Sequence, residues 1–139
     1  MTIVGGRGER LRPYTDTLPK PMVPINGRPL ISYQIDWMRA NGVTDVVFLT
    51  GYRSEKFHEY IGDGSVFGIR AHYSNEDTPL GRGGAIKNGL EKLPENDDQF
   101  LVVNGDIITD QSLTPLKELQ QSTNAVAAIT LVPYPNQYG

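Results

Sequence analysis

Apolar and polar positions divide the chain into short apolar runs separated by segments of helical period. Residues 1–4 (MTIV) form an apolar run that stops at Gly5-Gly6, and predict a buried first strand leaving into a loop. Residues 45–50 (DVVFLT) are a β-branched run bounded by Gly51, and residues 69–73 and 100–103 predict two further strands. Over residues 29–41 the period becomes helical. Pro29 suits a first helical position, Ile31, Ile35 and Met38 recur at steps of four and three, and Gly42 is a stop signal. Ser54 is placed to cap a short helix over 54–61, which Gly62-Asp63-Gly64 would end. Residues 83–93 and 114–121 read as helices, the second with Pro115 in its first turn, and residues 125–132 (AVAAITLV) predict a last strand before Pro133.

Strands that alternate with helices are the pattern of βα units on a mostly parallel sheet. The expected fold class is α/β, a doubly wound, mostly parallel Rossmann-like sheet, and residues 1–139 read as a single domain without repeat or linker. Ligands of such sheets bind beyond the carboxyl ends of the strands. Three loops there carry unusual chemistry: residues 5–20, 76–84 and 104–106.

Composition removes several function classes. The chain has a net charge of −3 and no block of consecutive Lys or Arg, so a nucleic-acid partner is not expected. No stretch approaches the ~20 apolar residues that span a bilayer, and no signal-peptide core opens the chain, so no membrane partner is expected. The absence of cysteine excludes a disulfide scaffold and a thiolate zinc site, and suits a cytoplasmic location. His58 and His72 have no metal-ligand spacing around them, which points to structural or surface roles.

In the first loop, Gly5, Gly6 and Gly8 free the backbone to take positive φ and to offer amide N–H groups to an anion. Arg7, Arg10, Arg12 and Lys20 add four cations to the same segment. A strand, a glycine loop and paired Arg and Lys suit a triphosphate; the same glycines taken alone also suit a plain solvated loop. A Walker A loop is excluded because no Gly-Lys pair occurs, and a dinucleotide fingerprint would need glycine at Leu11.

The segment GGRGERLRPYTDTLPKPMVPINGRPLI closely resembles the signature of sugar-1-phosphate nucleotidyltransferases, L-A-G-G-x-G-[ST]-R-L-x-P-x-T followed by P-K-P. Val4 stands in place of Ala and Glu9 in place of Thr or Ser. The resemblance implies the sheet of the nucleotide-diphospho-sugar transferases. It also implies that Arg10 and Lys20 act catalytically on the triphosphate while the Gly5, Gly6 and Gly8 backbone cradles the nucleotide.

The second loop, SNEDTPLGRGGAIKNGL, resembles the family's E-x-x-P-L-G-T-A-G-A, with Arg82 and Gly83 replacing Thr and Ala. The resemblance sets this loop against base and ribose, with Gly81 giving a close backbone approach and Glu76 where thymidylyl-transferring relatives carry Gln. A carboxylate only accepts hydrogen bonds, and guanine presents two adjacent donors on its Watson–Crick edge. Thymine and uracil present one donor flanked by acceptors, which suits an amide better. Glu76 therefore points toward GTP if it reads the base; the alternative is a side chain in solvent.

The third loop follows FLVV with Asn104-Gly105-Asp106. An Asp after Gly is commonly a turn former, whereas the family's Gly-Asp element implies that Asp106 is a ligand of Mg²⁺, with Asn104 as an orienting nucleotide contact. The expected reaction is transfer of a nucleotidyl group from a nucleoside triphosphate to a sugar 1-phosphate, releasing pyrophosphate. The resemblance runs the length of the chain but covers only the N-terminal part of a typical member. Tyr138-Gly139 matches the element where sugar contacts begin, so Gly139 is implied as a sugar-phosphate contact and the domain is expected to be incomplete. Two alternatives stay open: a nucleotide-binding module or fragment without independent catalysis, and self-association into a homo-oligomer.

Overall fold

A computed structural model describes residues 1–95 and 98–133. Residues Met1–Thr109 make one compact unit, and a second runs from Asp110. The first unit is built on four strands: β1 (Thr2–Ile3), β4 (Asp45–Thr50), β5 (Arg70–Asn75) and β6 (Val103–Asn104). A separate antiparallel pair, β2 (Pro24–Ile25) and β3 (Arg28–Pro29), closes at Asn26-Gly27, both at positive φ. An Asn-Gly pair at a two-residue turn is the sequence signal for that hairpin. The helices are α1 (Leu30–Ala40), α2 (Ser54–Ile61) and α3 (Gly81–Gly89), with α4 (Thr114–Thr123) in the second unit.

The four strands are parallel and lie in the order β5-β4-β1-β6. The chain moves outward from β1 through β4 to β5, then returns past β1 to place β6 on its other side. β1 and β6 therefore flank a topological switch point, where connections depart in opposite directions and leave a crevice beyond the strand ends.

Burial on both faces explains why the strands read as continuous apolar runs. Successive side chains of β4 alternate in direction: Val46 and Phe48 join Ile31, Ile35 and Met38 of α1 and Phe57 and Ile61 of α2 in one core cluster. Val47 and Leu49 join Met1 and Ala85 of α3 in another. Helices thus cover both sheet faces, as doubly wound folds require. The Ile31-Ile35-Met38 stripe is at most 1% exposed. His72 sits at the opposite end of the sheet from the switch point, 3.1 Å from Asp45. A hydrogen bond from Arg70, with help from His72 and Thr44, holds the Asp45 carboxyl well below the usual carboxylate range.

The structure corrects some boundaries. The third helix begins at Gly81 and gives way at Gly89 to a 3-10 turn, Leu90–Lys92. Residues 100–102 run beside β1 without joining the ladder, which holds only Val103–Asn104. The last expected strand is not formed: residues 125–132 pair with no strand among the described residues, and Val126, Ile129, Leu131 and Val132 are exposed. Apolar, β-branched composition favours a strand only when a neighbour supplies hydrogen bonds and a surface to pack on. No described helix is long and apolar enough to cross a membrane.

Candidate functional site

The loop after β1 folds back on itself around Gly8. Gly8 has φ of 61°, and its carbonyl accepts hydrogen bonds from Leu11 N (2.9 Å) and Thr15 Oγ1 (2.9 Å). A Cβ here would lie 3.0 Å from the Cβ of Lys20, so glycine serves both the left-handed backbone and the return of Lys20 alongside it. Gly5 and Gly6 do not use positive φ, contrary to the expectation from composition. Gly5 is instead a crossing point: its carbonyl accepts from Tyr52 N, and a Cβ would approach Gly51 N to 3.3 Å. The prolines turn the rest of the loop into short 3-10 turns, Glu9–Leu11, Tyr14–Asp16 and Lys20–Met22. The Tyr52 hydroxyl donates to Asp16 O at 2.9 Å and ties the loop down from the end of β4. Buried Pro21 and Met22 root Lys20 in the core.

From the other side of the switch point, the loop after β6 presents Asp106. Gly105 is needed there for packing. Its N–H donates to Ile3 O at 2.9 Å, and a Cβ would run into Val4 Cγ1 while standing 3.0 Å from the Ile3 carbonyl. Since Val4 is only 2% exposed, it has no room to yield. Gly105→Ala is expected to cost about 1–3 kcal/mol by overpacking. An unchanged urea midpoint would contradict this packing role.

Lys20 Nζ donates to Asp106 Oδ2 at 2.6 Å across the crevice. Both side chains remain about a third exposed, at 36% and 35%, so the pair faces solvent and contributes little to stability. Two adjoining hollows open around it. One, of about 220 Å³, is lined by Gly6, Gly8, Lys20, Arg82, Asn104 and Asp106, with Ile3, Val4 and Pro21 at its base. The other, of about 430 Å³, is lined by Arg7, Gly8, Glu9, Arg10, Leu11, Lys20 and Asp106. Arg7, Arg10, Lys20 and Arg82 set four cations against the two carboxylates of Glu9 and Asp106. A partly desolvated crevice with that surplus attracts a polyanion. Arg12 is drawn aside to Asp16, 3.4 Å away.

The structure thus brings Arg10, Lys20, Gly6, Gly8, Asn104 and Asp106 to shared walls. Glu76 stands in the adjoining loop between β5 and α3, and Gly81 opens α3. Glu76 does not simply point to solvent: its Oε2 accepts from Leu80 N at 3.0 Å and closes the turn into α3, while Gly81 adopts φ of 70°. Gly139 lies outside the described residues.

Two polar residues at the site escape the motif reading. Arg82 lines the smaller hollow, and its signal is a cation among Gly81, Gly83 and Gly84 where the family pattern has Thr. Gln34 is 2% exposed beneath the crevice, and its signal is an amide on the apolar stripe Ile31, Ile35 and Met38.

Among the described residues no group of three or more His, Cys, Asp or Glu could hold a metal. Asp106 nonetheless fits one kind of divalent ion. Mg²⁺ commonly takes one or two protein carboxylates and completes its shell with substrate phosphates and water. A carboxylate on the wall of a cationic crevice has that donor chemistry.

A nucleotidyl transferase family model matches residues 1–139. The chain belongs to the nucleotidyl transferase family. It is 39% identical over 142 residues to a mannose-1-phosphate guanyltransferase of Yarrowia lipolytica, covering 100% of this chain and 39% of that protein. It is 37% identical over 132 residues to a mannose-1-phosphate guanylyltransferase of Mycobacterium tuberculosis, covering 95% of this chain and 36% of that protein. The crystal structure of HddC from Yersinia pseudotuberculosis complexed with GMP-PN superposes with a TM-score of 0.75 at 27% identity, covering 86% of this chain and 52% of that one. The chain therefore spans well under half the length of the two curated relatives. In this family member Gly6, Gly8, Lys20 and Pro21 stand on the walls of the switch-point crevice.

Proposed function

We propose that this chain forms the nucleotide-binding part of a sugar-1-phosphate nucleotidyltransferase that uses GTP. One observation carries the reading: Arg10, Lys20 and Asp106, 96 residues apart at the extremes, line one hollow together with Gly8. The mannose-1-phosphate guanylyl-transferring relatives and the complex of HddC with GMP-PN support guanine as the base.

In this reading the amides of the Gly5–Gly8 turn face the triphosphate, and Arg10 and Lys20 neutralise its β- and γ-phosphates. Arg82 approaches the same polyanion from the start of α3. Asp106 and the phosphate oxygens together would hold Mg²⁺, which when bound offsets phosphate charge and aligns the phosphate chain. An oxygen of the sugar 1-phosphate attacks the α-phosphorus in line, and the bond from that phosphorus to the bridging oxygen breaks to release pyrophosphate. The attacking phosphate is already anionic near neutral pH, so the chain's residues contribute alignment and charge neutralisation in place of proton transfer.

Glu76 holds the Leu80 amide with Oε2, and in this reading its Oε1 accepts from the donors of guanine. Leaving such a group unpaired costs about 1–3 kcal/mol. GTP is therefore expected to bind about five- to 150-fold more tightly than UTP or dTTP. Competition titrations with the four nucleotides test this, and a preference for dTTP or UTP would overturn it. Measuring pyrophosphate release with mannose, heptose and glucose 1-phosphates beside binding separates the enzyme from a nucleotide-binding module. Binding without release under every condition would favour the module.

A further inference from the structure

Gln34 is a buried amide on an otherwise apolar helix face. Enclosing an amide is unfavourable unless its oxygen and N–H groups find partners. Here Oε1 accepts from Thr2 Oγ1 at 2.7 Å. Nε2 donates to Asn104 O at 2.7 Å and more weakly to Ile107 O at 3.4 Å. Thr2 belongs to β1 and is itself 0% exposed. The two carbonyls bracket Gly105 and Asp106. One side chain on α1 therefore fastens β1 to both ends of the bend that presents the Asp106 carboxylate across from Lys20.

Volume filling does not account for this choice. Leu or Met would fill a similar space without an amide to satisfy, whereas a buried amide with its partners fixed admits one arrangement of the backbone. Besides this amide, the bend is held by the two-residue pairing of β6 with β1 and by the Gly105 N–H to Ile3 O bond, both on the β1 side; Gln34 is the side chain that ties it to α1.

We propose that Gln34 is a positioning residue that holds the Asn104–Asp106 bend in the orientation from which Asp106 takes up the divalent cation of the nucleotide complex. The proposal rests on the reading of Asp106 as the metal-holding carboxylate. It makes no claim on the glycine loop, which is fixed by Tyr52 and Thr15.

The test is binding of a fluorescent GTP analogue to the 139-residue chain, titrated with MgCl₂ and repeated in EDTA. Gln34→Met is expected to raise the Mg²⁺ concentration for half-maximal binding about tenfold, as loss of an orienting partner does at other metal sites. Affinity in EDTA should stay within about twofold, because the amides and cations of the first loop are untouched. An unchanged Mg²⁺ requirement, or an equal loss with and without metal, would overturn the proposal. Should Gln34→Met not fold, Thr2→Val keeps its size and frees only the amide's anchor. A rise of about threefold in the Mg²⁺ requirement then supports the proposal, and no change overturns it. Asp106→Asn separates the two layers. If it leaves the Mg²⁺ requirement unaltered, the metal reading fails and this inference with it; if it abolishes the requirement while Gln34→Met and Thr2→Val do not move it, only the positioning role fails.

Discussion

With Lys20 replaced by alanine, pyrophosphate release from GTP and mannose 1-phosphate is expected to fall about 100- to 1000-fold. The fold should persist, with a melting temperature within about 3 °C of the parent. Both halves follow from where Lys20 lies. Its backbone is rooted by buried Pro21 and Met22, which the substitution leaves intact. Its side chain is about a third exposed and its ammonium pairs with Asp106, an arrangement that contributes little to folding. The same ammonium stands on the wall of both hollows, where the proposed reaction would develop charge on the departing pyrophosphate. Arg at this position would not restore full turnover, because a planar fork replaces a compact charge seated beside Gly8. Steady-state pyrophosphate release with thermal melting checks both halves. Near-parental rates in Lys20→Ala would remove it from the catalytic set.

Asp106→Asn should produce two effects of opposite sign. Without the carboxylate, turnover falls about 100-fold or more and no longer responds to Mg²⁺. Without its partner, Lys20 is free: the crevice walls go from four cations and two carboxylates to four cations and one. GTP in EDTA is then expected to bind several-fold more tightly to Asp106→Asn than to the parent chain. A purely structural Asp106 would weaken binding with and without metal alike. Titrations of GTP in EDTA and in MgCl₂, carried out on both proteins, distinguish the two. Tighter metal-free binding also shows the Lys20–Asp106 pair to be a resting state that the incoming nucleotide replaces.

The sequence made the frame of the fold legible because its periods are strong. DVVFLT is buried on both faces, and a run of that composition has few other uses than a parallel inner strand. Ile31, Ile35 and Met38 marked the buried stripe of α1 for the same reason. Residues 125–132 failed as a strand because composition records what a segment would do beside a partner, and says nothing about whether one is present. At the site, the glycine loop and Asp106 were legible through an ordered motif, and Arg10, Lys20 and Asp106 do share a wall. Gln34 was not: nothing in a helical period distinguishes a bracing amide from a polar interruption until its partners in β1 and beside β6 are known. Gly105 entered the sequence reading only as the residue before Asp106, and the structure makes it a packing requirement between Val4 and the Ile3 carbonyl. Close approach of distant segments leaves no local trace in a sequence.

The most direct measurement is a crystal structure of the chain with GTP and Mg²⁺. The triphosphate should lie along Gly6–Gly8 with Arg10 and Lys20 on its oxygens, the metal on Asp106, and the Lys20–Asp106 contact of 2.6 Å opened to admit it. A nucleotide bound away from this crevice, with that contact still closed, would contradict the account.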